Sequence, residues 1–241
     1  MVNFKPMNDY ISLLMLQLIK KYNIQPPFLD VGGGQGTFSL ELCKKCWDGK
    51  LIDISPSALD KAMVNLAGSA VNVSSTNAFD ETGKYNCILL FDVIEHIKND
   101  KELLTSLYDN LNPGGHLLIT VPVNKNEWRW DDKVYGHYRR YDTDEFLSML
   151  KECKYKVKEN WDFSYPFFYY LRHLYITLSK SPEVKHGKEE LTSVSSYESA
   201  FRRGTFGKII ESKIWWSWPQ LIQLKFKKSK ITDHQIIVVE K

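Results

Sequence analysis

The chain has 241 residues, 43% of them hydrophobic and 25% charged, with a formal net charge of +3. That balance excludes a disordered chain, and the length accommodates one α/β domain with an elaboration, or at most two small domains. No run approaches the roughly 18 apolar residues of a membrane span, and the apolar stretch 11–19 has neither a basic leader nor a small-residue cleavage site, so a cytoplasmic location is expected.

The charge is uneven. Residues 1–150 carry 15 Lys and Arg against 19 Asp and Glu, whereas residues 151–241 carry 17 against 10. A basic last third suits an anionic substrate, a nucleic acid, a membrane surface or simply a solvated face. Cys43 and Cys46 form a C-x-x-C late in an expected helix, without the second pair that a zinc site needs; Cys87 and Cys153 stand apart.

Hydrophobic spacing predicts an amphipathic helix over residues 8–22, with Ile11, Leu14, Leu18 and Ile19 on one side. A short buried strand follows at 28–31, then a glycine loop and a helix over 37–46. A strand at 50–54 leads to a helix at 57–66, for which Ser55 is a cap. Strands at 70–74 and 85–91 come next, then a helix at 100–111. Asn112-Pro113-Gly114-Gly115 reads as a turn feeding a strand at 116–121. A helix at 143–151, a strand at 155–161 and a closing strand at 235–240 complete the series. Strand and helix alternate at βαβ spacing, which predicts an open parallel sheet with helices on both faces and ligands beyond the carboxyl ends of the strands.

Residues 162–230 break that rhythm. They are rich in aromatic residues, contain a polar stretch at 181–199 that reads as a loop, and return to helical spacing at 209–224. One domain is therefore expected, made of an N-terminal helix (1–24), a ligand-binding core (25–161), a helical cap insertion (162–230) and a final strand (231–241).

The chemistry begins at Asp30-Val31-Gly32-Gly33-Gly34-Gln35-Gly36. Glycines after a first strand let the backbone approach a ligand closely. A dinucleotide fingerprint starting at Gly32 needs glycine at position 37, where Thr37 stands instead. An acid two residues ahead of the first glycine suits a ligand with an ammonium group there and would repel a pyrophosphate. Asp53, seventeen positions after Gly36, ends the second strand, where a carboxylate can accept from both hydroxyls of a ribose or else cap the following helix.

Together, FLDVGGGQGTFSLEL, LIDISPSALDKA, YNCILLFDVIEHI and LNPGGHLLITVP resemble the successive motifs of class I methyltransferases, in order and spacing across residues 25–160. Within them the chain is most similar to the small-molecule subgroup that includes ubiquinone-pathway and natural-product enzymes. The resemblance implies a Rossmann-like, mostly parallel seven-stranded sheet with the last strand antiparallel. It implies S-adenosylmethionine as cofactor, with S-adenosylhomocysteine as its product. Asp30, Gly32, Gly33 and Gly34 would meet its methionine end, Asp53 and Ile54 its ribose, Asn77 and Ala78 its adenine edge, and Phe91 its methionine part. Asn77 departs from the acid usual at its place and both donates and accepts. The expected reaction is in-line methyl transfer to an oxygen or nitrogen of a small-molecule acceptor, anionic or aromatic, by a monomer or homodimer.

Two histidines are candidate catalytic groups. His96 follows the fourth strand within Asp92-Val93-Ile94-Glu95-His96 and reads either as a site group or as packed core. No metal is expected, although some ubiquinone-pathway relatives bind one through an acid-x-x-Glu-His group whose residue types Asp92, Glu95 and His96 repeat. His137, in the loop after the fifth strand, is the preferred base. Beside it Tyr138, Arg139, Arg140 and Tyr141 are candidate acceptor contacts, or else a loop pinned by ion pairs to Asp131, Asp132 or Asp142. The aromatic cap reads first as core, and otherwise as a pocket wall or dimer contact.

A degenerate cofactor-binding partner protein is the reading from another class, against which every cofactor position holds a competent residue. An RNA or peptide methyltransferase is a further reading. DNA is not expected, because Phe91-Asp92-Val93-Ile94 has neither the Asn/Asp-Pro-Pro-aromatic nor the Pro-Cys of base-modifying enzymes.

Overall fold

The computed structural model describes residues 5–179 and 213–241 of the chain. Seven strands among them form one sheet: β1 (Phe28–Val31), β2 (Gly49–Ile52), β3 (Val71–Ser74), β4 (Tyr85–Phe91), β5 (Leu111–Pro122), β6 (Lys156–Asp162) and β7 (His234–Glu240). Their order is β3-β2-β1-β4-β5-β7-β6. β7 runs antiparallel to both neighbours, and the pairs among β1 to β5 are parallel. This is the expected doubly wound sheet with an antiparallel last strand. The chain turns from building leftward to building rightward between β1 and β4, the crevice where such sheets bind ligands.

The helices are α1 (Pro6–Lys21), α2 (Thr37–Cys43), α3 (Pro56–Asn65), α4 (Asp100–Asn110), α5 (Trp130–Val134), α6 (Thr143–Glu152), α7 (Phe167–Leu178) and α8 (Lys213–Gln223). Because β4 is buried on both faces, its side chains divide by parity. Ile88 and Leu90 join Leu103, Leu104 and Leu107 of α4 and Phe146 and Leu150 of α6. Cys87, Leu89 and Phe91 join Tyr10, Ile11, Leu14, Met15 and Leu18 of α1. Each fully buried leucine contributes about 2 kcal/mol through removal of apolar surface from water.

Three local expectations change. Ser55 occupies the cap position of α3 but makes no side-chain capping bond, and Pro56 instead presets the first turn. The 112–115 turn lies inside β5 as a bulge: Tyr85 pairs with Leu111 and Cys87 with His116, so the extra residues loop out between two paired positions. The C-x-x-C is split, since α2 ends at Cys43, and all four cysteines are free thiols. The polar stretch 181–199 lies outside the described residues, as does the start of the 209–224 helix. No described helix is long and apolar enough to cross a membrane.

Candidate functional site

A cleft of about 700 Å³ opens at the β1/β4 crevice. The loops after β1, β2 and β3 form one end of it, the loops after β4 and β5 form the other, and α7 and α8 roof it. All nine residues expected at the cofactor line it: Asp30, Gly32, Gly33, Gly34, Asp53, Ile54, Asn77, Ala78 and Phe91.

The glycine loop is shaped by steric limits. Gly32 has φ +63°, and a Cβ there would lie 2.6 Å from Val93 Cγ2. Gly34 has φ +56°, yet a Cβ there would meet nothing within 4 Å, so its peptide faces open space. The Gly34 amide donates to Asp53 Oδ2 at 2.9 Å and the Ser55 amide donates to Oδ1 at 2.8 Å, which fixes this carboxylate at the cleft. Asp30 is 2% exposed and accepts from Ser39 Oγ at 2.7 Å. Burial pushes its carboxyl up to about 7, with the nearby charge of Asp53 adding to the rise. Asn77 Oδ1 accepts from the Phe79 amide, so the short 78–80 turn uses that oxygen. Ile54 and Phe79 leave apolar surface open at the cleft.

At the other end Asp92 adopts φ +54°, the left-handed region that costs a non-glycine residue energy. Thr120 Oγ1 holds it there, accepting from the Asp92 amide and donating to Asp92 Oδ1 at 2.7 Å. His137 and His96 both line the cleft, with ring centroids 4.9 Å apart and edge to face. His137 Nδ1 donates to Asp132 Oδ1 at 2.9 Å, which leaves Nε2 as the cleft-facing nitrogen, 3.9 Å from Glu95 Oε1. Burial raises the Asp132 carboxyl, but the bonds from His137 and Arg140 outweigh it and hold the group well below the usual carboxylate range. Burial raises Glu95 well above its ordinary value, helped by the charge of Asp92, and its Oε2 has no partner. Burial lowers His96 to about 3, with His137 contributing.

One ligand atom each of Glu95, His96 and His137 falls within 4.8 Å of the others, close enough to share one ion. Asp92, the third residue of the sequence-based trio, is not in that group.

The Tyr138–Tyr141 string divides differently from expectation. Arg140 lines the cleft but is 3% exposed: Nε donates to Asp132 at 2.8 Å, and Nη1 donates to the carbonyls of Val123 and Asp233. Tyr138, Arg139 and Tyr141 are not among the lining residues. Arg139 Nη1 donates to Asp100 Oδ2 at 2.6 Å, and the Tyr141 hydroxyl donates to the same oxygen at 3.0 Å. The Tyr138 amide donates to the Glu95 carbonyl, and its ring lies under Lys98. These three residues tie the loop after β5 to the loop after β4. Of the two expectations for this string, the pinned loop is the one seen: Arg140 pairs with Asp132, while Arg139 takes Asp100 in place of Asp131, Asp132 or Asp142.

Several residues at and behind the cleft wall were not singled out by the sequence. Arg172 of α7 donates from Nε and Nη2 to both oxygens of Asp131, at 2.8 and 2.9 Å, and reaches Asp132 Oδ2 at 3.1 Å and Asp233 Oδ2 at 3.2 Å. Tyr169 and His173 on the same helix meet Glu127. Phe168 and Trp216 stack at 5.2 Å and 13°, joining α7 to α8 as one wall of the cleft, beside Leu171 and Tyr175. Their aromatic density in 162–230 was the one available signal, and it could not separate wall from core.

A family model described as a methyltransferase domain matches residues 7–160. A ubiquinone biosynthesis O-methyltransferase of Rickettsia bellii is 26% identical over 103 residues, 41% of this chain and 42% of that protein. The chain spans about half the length of the curated relatives it matches. An S-adenosylmethionine-dependent methyltransferase structure from Clostridium acetobutylicum superposes with a TM-score of 0.58 at 12% identity, covering 99% of this chain and 92% of that one. The N-methyltransferase NodS of Bradyrhizobium japonicum, in complex with S-adenosyl-L-homocysteine, gives 0.55 at 18% identity over 65% of this chain and 79% of that one. These structural likenesses concern the fold. The family match spans well over half of the sequence, and the chain belongs to the methyltransferase domain family.

Proposed function

We propose that the chain transfers a methyl group from S-adenosylmethionine to an oxygen or nitrogen of a small-molecule acceptor. The observation that carries this reading is the pairing, within one cleft, of two carboxylates that have no ion-pair partner among the described residues at one end with an oriented histidine at the other. Asp30 and Asp53 accept hydrogen bonds from hydroxyl and amide groups. They fit a ligand with an ammonium at one carboxylate and vicinal hydroxyls at the other, and Gly34 leaves room for it. Asp53 would hold the ribose, with Ile54 beside it, and Asn77 and Ala78 would meet the base. Asp30 would face the ammonium through the Gly32–Gly34 loop.

Bound there, the cofactor supplies a sulfonium methyl already activated for displacement, so alignment and exclusion of water are the main demands on the protein. The aromatic residues of α7 and α8 that line the cleft would limit its access to water. His137 Nε2 takes the proton from the acceptor heteroatom, and Asp132 holds the ring in the tautomer that leaves Nε2 free to accept it. Relatives named as O- and N-methyltransferases support either heteroatom. The test is a screen of candidate acceptors with methyl-labelled cofactor. Label transfer that His137→Ala abolishes supports the reading, and tight cofactor binding with no label transferred to any acceptor pool contradicts it.

A further inference from the structure

We propose that the acceptor end of this cleft takes an uncharged or cationic acceptor carried on a flat apolar body, and excludes carboxylates, sulfonates and phosphates. The inference deepens the methyl-transfer reading and rests on it. It runs against the anionic acceptor that the basic last third of the sequence suggests.

Asp131, Asp132 and Asp233 are served by two guanidinium groups, Arg140 and Arg172. Asp92 takes its side-chain hydrogen bond from a neutral hydroxyl, that of Thr120. Four aspartates against two arginines leave an excess of negative charge in a partly dry space, where like charges repel strongly. Neither arginine has a bidentate edge free to clamp an anion. The Nε and both terminal nitrogens of Arg172 already donate to protein oxygens, and Arg140 is buried with Nε and Nη1 taken.

The histidines add no ready anion clamp, because His137 and His234 already direct Nδ1 to Asp132 and Asp233. Lys5, the remaining cation among the described lining residues, stands just ahead of α1 and has an interaction of its own. The apolar half of the proposal comes from α7, where Phe168, Leu171 and Tyr175 line the cleft with Arg172, and the ring of Phe168 is backed by the buried, stacked ring of Trp216.

The experiment uses three ring-matched probes, phenol, benzylamine and benzoate, titrated into full-length protein saturated with S-adenosylhomocysteine at constant ionic strength and pH 7, with affinities read by ligand-observed NMR. Phenol and benzylamine should bind, benzoate should bind at least about tenfold more weakly, and Trp216→Ala should weaken whichever probes bind. Benzoate binding as tightly as phenol, no ring binding at all, or affinities indifferent to Trp216→Ala would each overturn the proposal. Failure of S-adenosylhomocysteine itself to bind would instead overturn the methyl-transfer reading, so the two failures are distinguishable.

Discussion

Asp132 lies 2.9 Å from His137 Nδ1 and shares that same carboxylate with Arg140, so the orientation of one ring is tied to a buried ion pair. A histidine held in this way presents a single nitrogen to the cleft. His137→Ala should therefore lower kcat by about 10²–10⁴-fold, while S-adenosylhomocysteine affinity stays within about twofold, because the cofactor end is built from other loops. Steady-state kinetics beside calorimetry separate the two effects. Unchanged turnover would remove His137 from the mechanism.

Asp30 predicts a pH dependence of cofactor binding. Its carboxyl is raised to about 7 by burial in the unligated protein. An ammonium-bearing ligand prefers the ionised form, so affinity should rise with pH up to about 7 and then level off. Below that point, linkage to one proton gives a slope of about tenfold per pH unit. Asp30→Asn should flatten the profile. A profile level from pH 5 to 8 in the wild-type protein would contradict the assignment.

Arg172 links α7 to α5 and to the residue ahead of β7. Arg172→Met leaves Asp131, Asp132 and Asp233 short of a cation in a buried setting, and breaking such a pair typically costs about 3–5 kcal/mol. Thermal unfolding should shift down markedly, and Arg172→Lys should recover only part of the loss, since an ammonium cannot reproduce the bidentate grip on Asp131. A melting temperature equal to wild type would show that the network contributes no net stability.

Gly32→Ala probes the loop itself. The substitution adds a methyl group 2.6 Å from Val93 Cγ2 at a position with φ +63°. It should displace the loop and abolish measurable cofactor binding, whereas Gly34→Ala adds a methyl group to open space and should compete with the ligand directly. Retained wild-type affinity in both would place the ligand elsewhere.

The sheet was legible because its strands are short apolar runs bounded by turn residues; β4 spans the expected 85–91 residue for residue. The 112–115 segment misled because Pro-Gly-Gly does turn the chain, while strand pairing resumes on both sides of it. At five residues α5 is too short to show a helical period, so the helix that carries Asp131 and Asp132 went unseen. The cleft-lining loops after β1, β2 and β3 were readable because their glycines and acids lie within a few positions of each strand end. The acceptor end was not: Arg139 finds its partner Asp100 at a separation of 39 residues, and Arg172 meets Asp233 at 61, distances over which a sequence shows no pairing. Arginine and tyrosine serve equally well in ligand contacts and in internal struts, so residue type alone could not decide the role of 138–141.

The central claim is that the β1/β4 cleft binds S-adenosylmethionine through the glycine loop and Asp53. Isothermal titration of S-adenosylhomocysteine into the wild-type protein and into Asp53→Ala tests it most directly. One site per chain is predicted, weakened by about 10–100-fold in the variant through loss of a carboxylate that accepts charged hydrogen bonds. Absence of binding to the wild-type protein, or equal affinity in the variant, would contradict the account.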